Sequence, residues 1–253
     1  RKNEWSCIKY NCEHSIFKSI GYTLRNVYAR WTKAYLKNVD MFACITEFQK
    51  KKLIETGYDK NKITVIPNSI DAPCSYTLTT GGYIAYIGRL SYEKGYDLLV
   101  EVARKHPEIK FRFAGAQREQ KNTDIPSNVE FAGYLQKDKL LEFIQKARFI
   151  VIPSRCYEGF PMAILEAACH GKPAIAPNHG GFTEIIGQGE NAIGKLFEPG
   201  NTDDLDKQIA ELWNNQTLTE ELGEKAFKKL KKHYDSEVVY KQWETLFSKL
   251  KNS

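Results

Sequence analysis

The stretch FIVIPSRCYEGFPMAILEA, residues 149–167, decides the fold class. It starts with an uninterrupted apolar run at 149–152, crosses a polar loop and enters a second apolar segment, 162–170, with helical spacing. A short apolar run without alternation is typical of a strand buried on both faces, as in parallel sheets covered by helices. The stretch therefore predicts a strand–loop–helix unit of an α/β fold.

The same alternation continues on both sides of this unit. We predict further strands at 83–87, 110–114, 129–131, 174–176 and 193–197, and helices at 96–105, 137–147, 183–186, 202–214, 217–233 and 236–250. Strands alternating with helices predict a parallel sheet, and ligands bind such sheets at the carboxyl ends of the strands.

The upstream part has a different pattern. Residues 15–38 have helical spacing, short strands are expected at 41–45 and 63–66, and Thr46 is expected to cap a basic helix that ends at Gly57. The turn-rich segment 71–82 predicts a domain boundary. We therefore expect a partial first domain at 1–75 and a Rossmann-like domain at 80–233, with the final helix, 236–253, packing back on the first domain.

Composition and charge limit the possible classes. With 42% apolar and 27% charged residues, the chain is typical of a soluble globular protein, and nothing suggests a membrane span or a secretory leader. It begins with Arg1 and not with Met, so we expect an upstream piece. Its six cysteines mostly lie in apolar strings, which favours a reducing cytoplasm over a disulfide scaffold.

The net charge of +6 is unevenly distributed. Residues 1–40 carry eight Lys or Arg against three acids, and residues 224–251 carry eight Lys against four acids. These are either solvated helix faces or surfaces attracted to an anionic membrane. Nucleic acid is not an expected partner, because no recognisable reader motif is present.

Two cations flank the loop that follows the first strand of the second domain. In GRLSYEKG, residues 88–95, a glycine leaves the strand, and Arg89 and Lys94 stand on either side of the loop mouth. Two such cations suit an anion such as a diphosphate. Alone the signal is weak, because surface loops commonly carry Arg and Lys.

Two carboxylates mark the next strand-to-helix loop. Glu158 lies in the loop and Glu166 about one turn inside the helix, with Pro161 expected as the first helical residue. Backbone N–H groups of Phe160–Ala163 would be donors for an anion. The carboxylates themselves suit hydroxyls, which sugars supply, although acids near a helix start also simply complement its dipole.

A third loop, NHGGFTEII at 178–186, contains Gly180 and Gly181. These glycines permit either close approach of backbone to a ligand or an ordinary tight turn.

Taken together, these motifs resemble the family-four retaining glycosyltransferases of the GT-B fold, which consists of two Rossmann-like domains. The resemblance rests on Gly88-Arg89 with Lys94-Gly95, EGFPMAILEA and GGFTEI, and it extends upstream through VDMFACITEFQKKKLIETGY and KITVIPNSID. It implies a hexosyltransferase that moves a sugar from a UDP- or GDP-sugar to a glycan or lipid-linked acceptor, with no metal or other cofactor required. This expectation includes synthesis of cell-surface polysaccharide or glycolipid. It also includes a cytoplasmic location, either free or associated with the cytoplasmic face of a membrane.

The resemblance also implies roles for individual residues. Arg89 and Lys94 would bind the diphosphate and stabilise the leaving group. Glu158 would hold donor-sugar hydroxyls, and Glu166 would hold the ribose. The remaining substrate-binding positions would be Gly88, Gly159, Phe160, Pro161, Met162 and Ala163, with the base near Gly133, Tyr134 and Leu135.

The chain departs from the family pattern at its start. The early Gly-rich loop and catalytic His of the first domain are absent, and His14 is not in the matching context. Cys7 and Cys12 are interpreted as possible remnants of a zinc site completed upstream, since two ligands alone do not make one.

Two further motifs and two alternative functions remain. Asp204-Leu205-Asp206 matches the metal-binding D-x-D of another fold, but it opens a predicted helix, where acids suit the dipole. Gly187-Gln188-Gly189 follows a helix, which is the wrong context for a dinucleotide fingerprint. The alternatives are a GT-B-fold sugar-nucleotide epimerase and a non-catalytic nucleotide-sugar-binding fragment.

Overall fold

The computed structural model describes residues 5–9, 15–117 and 124–251. The chain divides into two compact units, one formed by residues 1–43 and 53–64 and the other by residues 44–52 and 65–253. The predicted boundary at 71–82, and the packing of the last helix on the first domain, stay predictions. No helix in the described part of the chain is both long and apolar enough to cross a bilayer.

The first unit is mainly helical. It contains α1 (Ser6–Lys9), α2 (Ile16–Trp31) and α3 (Ala34–Asn38). The short strands β1 (Phe42–Cys44) and β2 (Ile63–Val65) pair with each other, and all but the last residue of each strand belongs to this unit. The helical spacing of residues 15–38 therefore belongs to two helices. The break lies at Lys33, whose φ of 52° is left-handed and cannot continue a right-handed helix.

Helix α4 (Glu47–Glu55) follows β1, and its start confirms the predicted cap. The hydroxyl of buried Thr46 accepts a hydrogen bond from the Gln49 amide at 3.3 Å. Such a cap satisfies one of the amides that have no partner within the first turn.

The second unit contains a six-stranded parallel sheet in the order β5-β4-β3-β6-β7-β8. Its strands are β3 (Ile84–Ile87), β4 (Phe111–Ala114), β5 (Val129–Gly133), β6 (Phe149–Val151), β7 (Ala174–Pro177) and β8 (Gly194–Phe197). The helices are α5 (Tyr96–Lys105), α6 (Asp138–Gln145), α7 (Met162–Ala168), α8 (Gly180–Ile186), α9 (Thr202–Asn214), α10 (Gln216–His233) and α11 (Ser236–Lys251). The predicted elements of this unit are confirmed, with ends that differ by a few residues.

Alternation along each strand separates two apolar cores. On β3, Ile84 and Tyr86 join the core that includes Leu99 and Leu205, whereas Ala85 joins the opposite core with Ile164. Successive side chains of a strand point to opposite faces, so one apolar run supplies both layers of helices. The complete burial of Ile84 and Ala85 explains why the sequence shows no polar alternation here.

The strand order places a crevice beside β3. From β3 the chain first builds outward to β4 and β5, and then returns to place β6 on the other side of β3. At such a switch point the loops leaving the two central strands diverge, which opens a crevice at their carboxyl ends. The loop that leaves β3 contains the motif at 88–95, and the loop that leaves β6 contains the motif at 153–161.

Candidate functional site

A small cavity lies at this switch point. It has a volume of about 80 Å³ and is lined by Tyr86, Ile87, Gly88, Lys94, Ile152, Glu158, Pro161, Met162 and Ala163. The structure thus brings together residues from both predicted loops. Because binding pockets for small molecules usually have about 300–1,000 Å³, a nucleotide sugar would extend well beyond this cavity.

Lys94 is the cation of the cavity. It ends a 3₁₀ turn, Tyr92–Lys94, which is closed by Gly95 with a left-handed φ of 70°. A Cβ atom at position 95 would collide with the carbonyl oxygen of Pro153. The glycine therefore permits both the turn and the close packing of the two loops, and so it fixes the position of Lys94.

Lys94 and Glu158 form an ion pair across the cavity. The Lys94 Nζ–Glu158 Oε1 distance is 2.6 Å, and the two side chains are 24% and 19% exposed. Partial burial limits screening by water, so this pair is stronger than a surface pair. A diphosphate and a sugar hydroxyl are the two kinds of group that would compete for these partners.

Arg155 connects the two loops, a role that the sequence analysis missed. Its guanidinium bonds both carboxylate oxygens of Asp97 at 2.7 and 2.8 Å and the Tyr92 carbonyl at 2.7 Å. It also lies over the Tyr92 ring at 4.0 Å. The only sequence signal was an arginine within the same loop as Glu158, which does not reveal its partners.

The start of α7 corrects two details of the prediction. Pro161 is the N-cap residue with ψ of 98° and not the first helical residue, which is Met162. Pro161 also has no N–H and cannot donate to phosphate. For Phe160, Met162 and Ala163, no acceptor of the backbone N–H is found within the described residues.

Gly180 and Gly181 approach the protein's own backbone. The amide of Gly181 donates to the Glu158 carbonyl at 2.9 Å, and a Cβ at position 181 would overlap the Gly159 carbonyl oxygen. Gly159 in turn packs against the Gln49 side chain. Close packing of two loops therefore accounts for these glycines, and it holds the loop that carries Glu158.

Arg89, Gly159, Phe160 and the loop at 133–135, which were predicted to bind substrate, do not line the cavity. Arg89 is 42% exposed and pairs with Glu93 at 3.5 Å, while its carbonyl accepts a hydrogen bond of 2.6 Å from the Tyr86 hydroxyl. Tyr134 is 68% exposed beside Gly133 and Leu135 at the end of β5. Phe160 is buried, and its ring contacts Tyr234. The roles given to these residues stay predictions.

Glu166 is half-buried on α7. Burial raises the pKa of its carboxyl group above the ordinary value, and no other cause contributes. Within the described residues, its carboxylate has no hydrogen-bond partner. This carboxyl group is therefore available to hydroxyl donors, although it does not line the small cavity.

An aromatic cluster beside Glu158 was also missed. Tyr157 stacks on Phe48 with ring centroids 5.6 Å apart and contacts the His179 ring edge-on at 4.9 Å. His179 Nε2 lies 3.3 Å from the Ser154 carbonyl, and burial lowers the pKa of the imidazole. Nε2 must carry the proton to donate to that carbonyl. The signal in the sequence was only a single histidine before two glycines.

The remaining motifs have other partners. Asp206 bonds His106 at 2.6 Å and Lys105 at 3.2 Å, and Asp204 accepts a hydrogen bond from the Glu198 amide at 2.7 Å. Gly187 follows α8, which confirms the helical context of Gly187-Gln188-Gly189. His14, Cys12 and the Cys7 side chain lie outside the described residues. The predictions about His14 and about a zinc site therefore stay predictions.

A larger groove of about 950 Å³ borders α11 and shares Met162 with the small cavity. Most of its lining surface is apolar, and it contains neither Lys94 nor Glu158. We place the candidate site at the small cavity because the paired charges that suit a nucleotide sugar lie there.

Family models match most of the chain. The model described as "Glycosyl transferases group 1" matches residues 77–229, and "Glycosyltransferase Family 4" matches residues 12–72. An uncharacterized glycosyltransferase of Methanocaldococcus jannaschii is 32% identical over 193 residues, which cover 74% of this chain and 53% of that protein. The chain thus spans about half the length of this relative.

Solved structures confirm the fold class. Sucrose-phosphate synthase from Thermosynechococcus elongatus matches with a TM-score of 0.73 and 21% identity over 87% of this chain and 60% of that chain. HepE of Anabaena, in complex with UDP and glucose, matches with a TM-score of 0.73 and 19% identity over 83% of this chain and 63% of that chain. At such identities the likeness shows the GT-B-type α/β fold alone.

Proposed function

Because the chain belongs to the glycosyl transferases group 1 family, we propose that it forms the donor-binding part of a retaining glycosyltransferase. The enzyme moves a hexose from a UDP- or GDP-sugar to an acceptor hydroxyl. We further propose a glycan or lipid-linked acceptor and a role in cell-surface polysaccharide or glycolipid synthesis. HepE, which shares the fold, is described with bound UDP and glucose, and this supports the choice of a nucleotide-sugar donor.

The Lys94–Glu158 pair carries the proposal. A cation and a carboxylate 2.6 Å apart stand where the loops leaving two neighbouring parallel strands diverge. A nucleotide sugar has a negative diphosphate next to a ring with hydroxyl donors, so it can satisfy both side chains at once. Lys94 then contacts the diphosphate, and Glu158 accepts hydrogen bonds from the sugar.

The chemistry of the proposed reaction is mainly leaving-group stabilisation. Negative charge grows on the diphosphate as the bond to the sugar breaks, and we assign the stabilisation of this charge to Lys94, Arg89 and the amides of Met162 and Ala163. Groups that are fixed before the reaction stabilise this charge without reorganising. The proposal therefore needs no metal.

The nucleoside end of the donor is assigned to Glu166 and to the loop after β5. A half-buried carboxylate with no hydrogen-bond partner among the described residues suits the ribose hydroxyls. The loop at Gly133, Tyr134 and Leu135 offers an exposed aromatic ring beside which the base would lie.

A thermal-shift series tests the proposed donor. UDP, GDP and their glucose and mannose derivatives are compared with uridine and guanosine, because a ligand selective for the native state raises the melting temperature. We expect a diphosphate to raise it more than the nucleoside does. Equal shifts for UDP and uridine, and for GDP and guanosine, would remove the diphosphate role. Formation of an epimer from the UDP-sugar without any acceptor would replace the transferase by an epimerase.

We also propose peripheral contact with an anionic membrane on its cytoplasmic face. Helix α2 exposes apolar side chains on one face, including Phe17 at 83% and Trp31 at 81%, and it carries Lys18, Arg25 and Arg30. Exposed aromatic rings with cations nearby are typical of interfacial helices. Co-sedimentation with phosphatidylglycerol vesicles should fall as salt is added, whereas binding indifferent to salt and lipid charge would contradict the proposal.

A further inference from the structure

Tyr157 is an exposed aromatic residue held between two other rings. Its ring plane is within 16° of that of Phe48 on α4, and His179 meets it at 61° from the start of α8. Nevertheless 70% of Tyr157 is exposed. A tyrosine that served only to pack the loop would bury its ring, because the apolar area is what stabilises packing.

Both neighbours of Tyr157 are themselves held in place. The Glu184 carboxylate accepts hydrogen bonds from the amides of Glu47 at 3.1 Å and Phe48 at 3.2 Å, which caps the first turn of α4. On the other side, His179 bonds the Ser154 carbonyl at 3.3 Å. The exposed ring is therefore oriented in advance, which lowers the entropy lost when a ligand binds to it.

Tyr157 directly precedes Glu158 but does not line the cavity that holds the Glu158 carboxylate. Its hydroxyl has no hydrogen-bond partner within the described residues. A fixed aromatic face with a free hydroxyl suits a sugar ring, whose C–H groups pack on aromatic faces while its hydroxyls need hydrogen-bond partners. The ring thus lies beside Glu158 and outside the cavity that holds its carboxylate.

We infer that Tyr157 is the contact platform of an acceptor subsite and that the acceptor presents a sugar ring there. Phe48 and His179 are positioning residues for this platform, and Glu184 positions Phe48. The inference rests on the proposed function, because the donor must occupy the side of Glu158 that faces Lys94. It deepens that function by assigning a carbohydrate acceptor.

The test measures sugar binding without turnover. Saturation-transfer NMR is recorded on the UDP-saturated protein with the methyl glycosides of glucose, galactose, mannose and N-acetylglucosamine. Tyr157→Ala should weaken glycoside binding about 10-fold, since it removes the aromatic contact, and Tyr157→Phe should weaken it about 3-fold. Tyr240→Ala is the matched control, because Tyr240 is 65% exposed on α11 and has no assigned role.

Calorimetry with UDP distinguishes failure of the Tyr157 platform from failure of the proposed function. Wild type and Tyr157→Ala should bind UDP within about 2-fold of each other, because the platform does not touch the nucleotide. Three results would each overturn the platform. The first is equal glycoside binding by Tyr157→Ala and wild type, and the second is no glycoside binding by the UDP-saturated wild type. The third is a large loss of UDP affinity in Tyr157→Ala. Failure of the wild type to bind any nucleotide or nucleotide sugar would instead overturn the proposed function.

Discussion

Glu158 and Glu166 lie in one strand–loop–helix unit, yet their surroundings differ. Glu158 stands in the loop and pairs with Lys94 at 2.6 Å. Glu166 stands on α7, where burial raises the pKa of its carboxyl group and no partner is found within the described residues. Glu158 thus has a cation beside it, whereas loss of water destabilises the anionic form of Glu166.

In the proposed function, this difference gives the two residues different parts of the ligand. We expect the cation beside Glu158 also to attract the diphosphate, which would put Glu158 next to the reacting centre. Glu166 gains most from neutral hydroxyl donors, because they compensate for lost hydration without adding charge. The ribose supplies such donors, and the predictions below test this division.

Lys94→Ala should have the largest effect. Removing the cation takes away stabilisation of the leaving diphosphate and leaves Glu158 without its partner, so we expect donor turnover to fall about 100- to 1,000-fold. UDP affinity should fall while uridine affinity stays unchanged, as measured by calorimetry.

Two further variants compare the loss of other positive charges. Lys139→Ala removes an exposed lysine of α6 and should leave turnover unchanged. Arg89→Ala should lower turnover less than Lys94→Ala, because Arg89 is more exposed. Normal turnover in Lys94→Ala would remove this residue from the mechanism.

Glu158→Gln should reduce sugar transfer about 10- to 100-fold, or about 1.4–2.7 kcal/mol of transition-state stabilisation. A neutral amide makes weaker hydrogen bonds to hydroxyls than a carboxylate does. UDP affinity should be retained, as measured by calorimetry beside the transfer assay. Loss of nucleotide binding with unchanged transfer per bound donor would reverse the orientation of the donor.

Glu166→Ala, in contrast to Glu158→Gln, should weaken nucleotide binding, and the factor should be smaller. Loss of the ribose contacts should weaken UDP and uridine binding alike by about 10-fold, or 1.4 kcal/mol. Calorimetry with both ligands measures this change. If the 2′,3′-dideoxy nucleoside loses nothing relative to uridine in the wild type, the ribose contact does not exist.

Glu166→Gln should give the smallest effect, seen in stability without ligand. The native state holds the Glu166 proton more tightly than the unfolded chain does, because burial raises its pKa. The wild type therefore loses stability as pH rises from the unfolded pKa, about 4.3, through the raised native pKa. Above that window the variant should melt about 2 °C higher than the wild type, and below it the two should converge. A constant difference at every pH would contradict a titrating Glu166.

Much of the fold followed from the sequence. The apolar runs at Ile84–Ile87 and Phe149–Val151 predicted buried parallel strands, and Thr46 predicted the start of α4. The loops after those strands were predicted to face one ligand, and Gly88, Lys94, Glu158, Pro161, Met162 and Ala163 do line one cavity. The strand and cap predictions were confirmed because the hydrophobic period and the helix cap are set by nearby residues. The ligand contact of the cavity residues stays a prediction.

Only the tertiary structure decided which side chains meet. Lys94 pairs with Glu158 at a separation of 64 residues, and Glu184 reaches the start of α4 across 137 residues. The helical pattern of residues 15–38 likewise could not show that the apolar face of α2 is exposed. The reason is physical: an amphipathic period specifies which residues share a face, whereas burial, pairing and the pKa of Glu166 depend on what packs against that face.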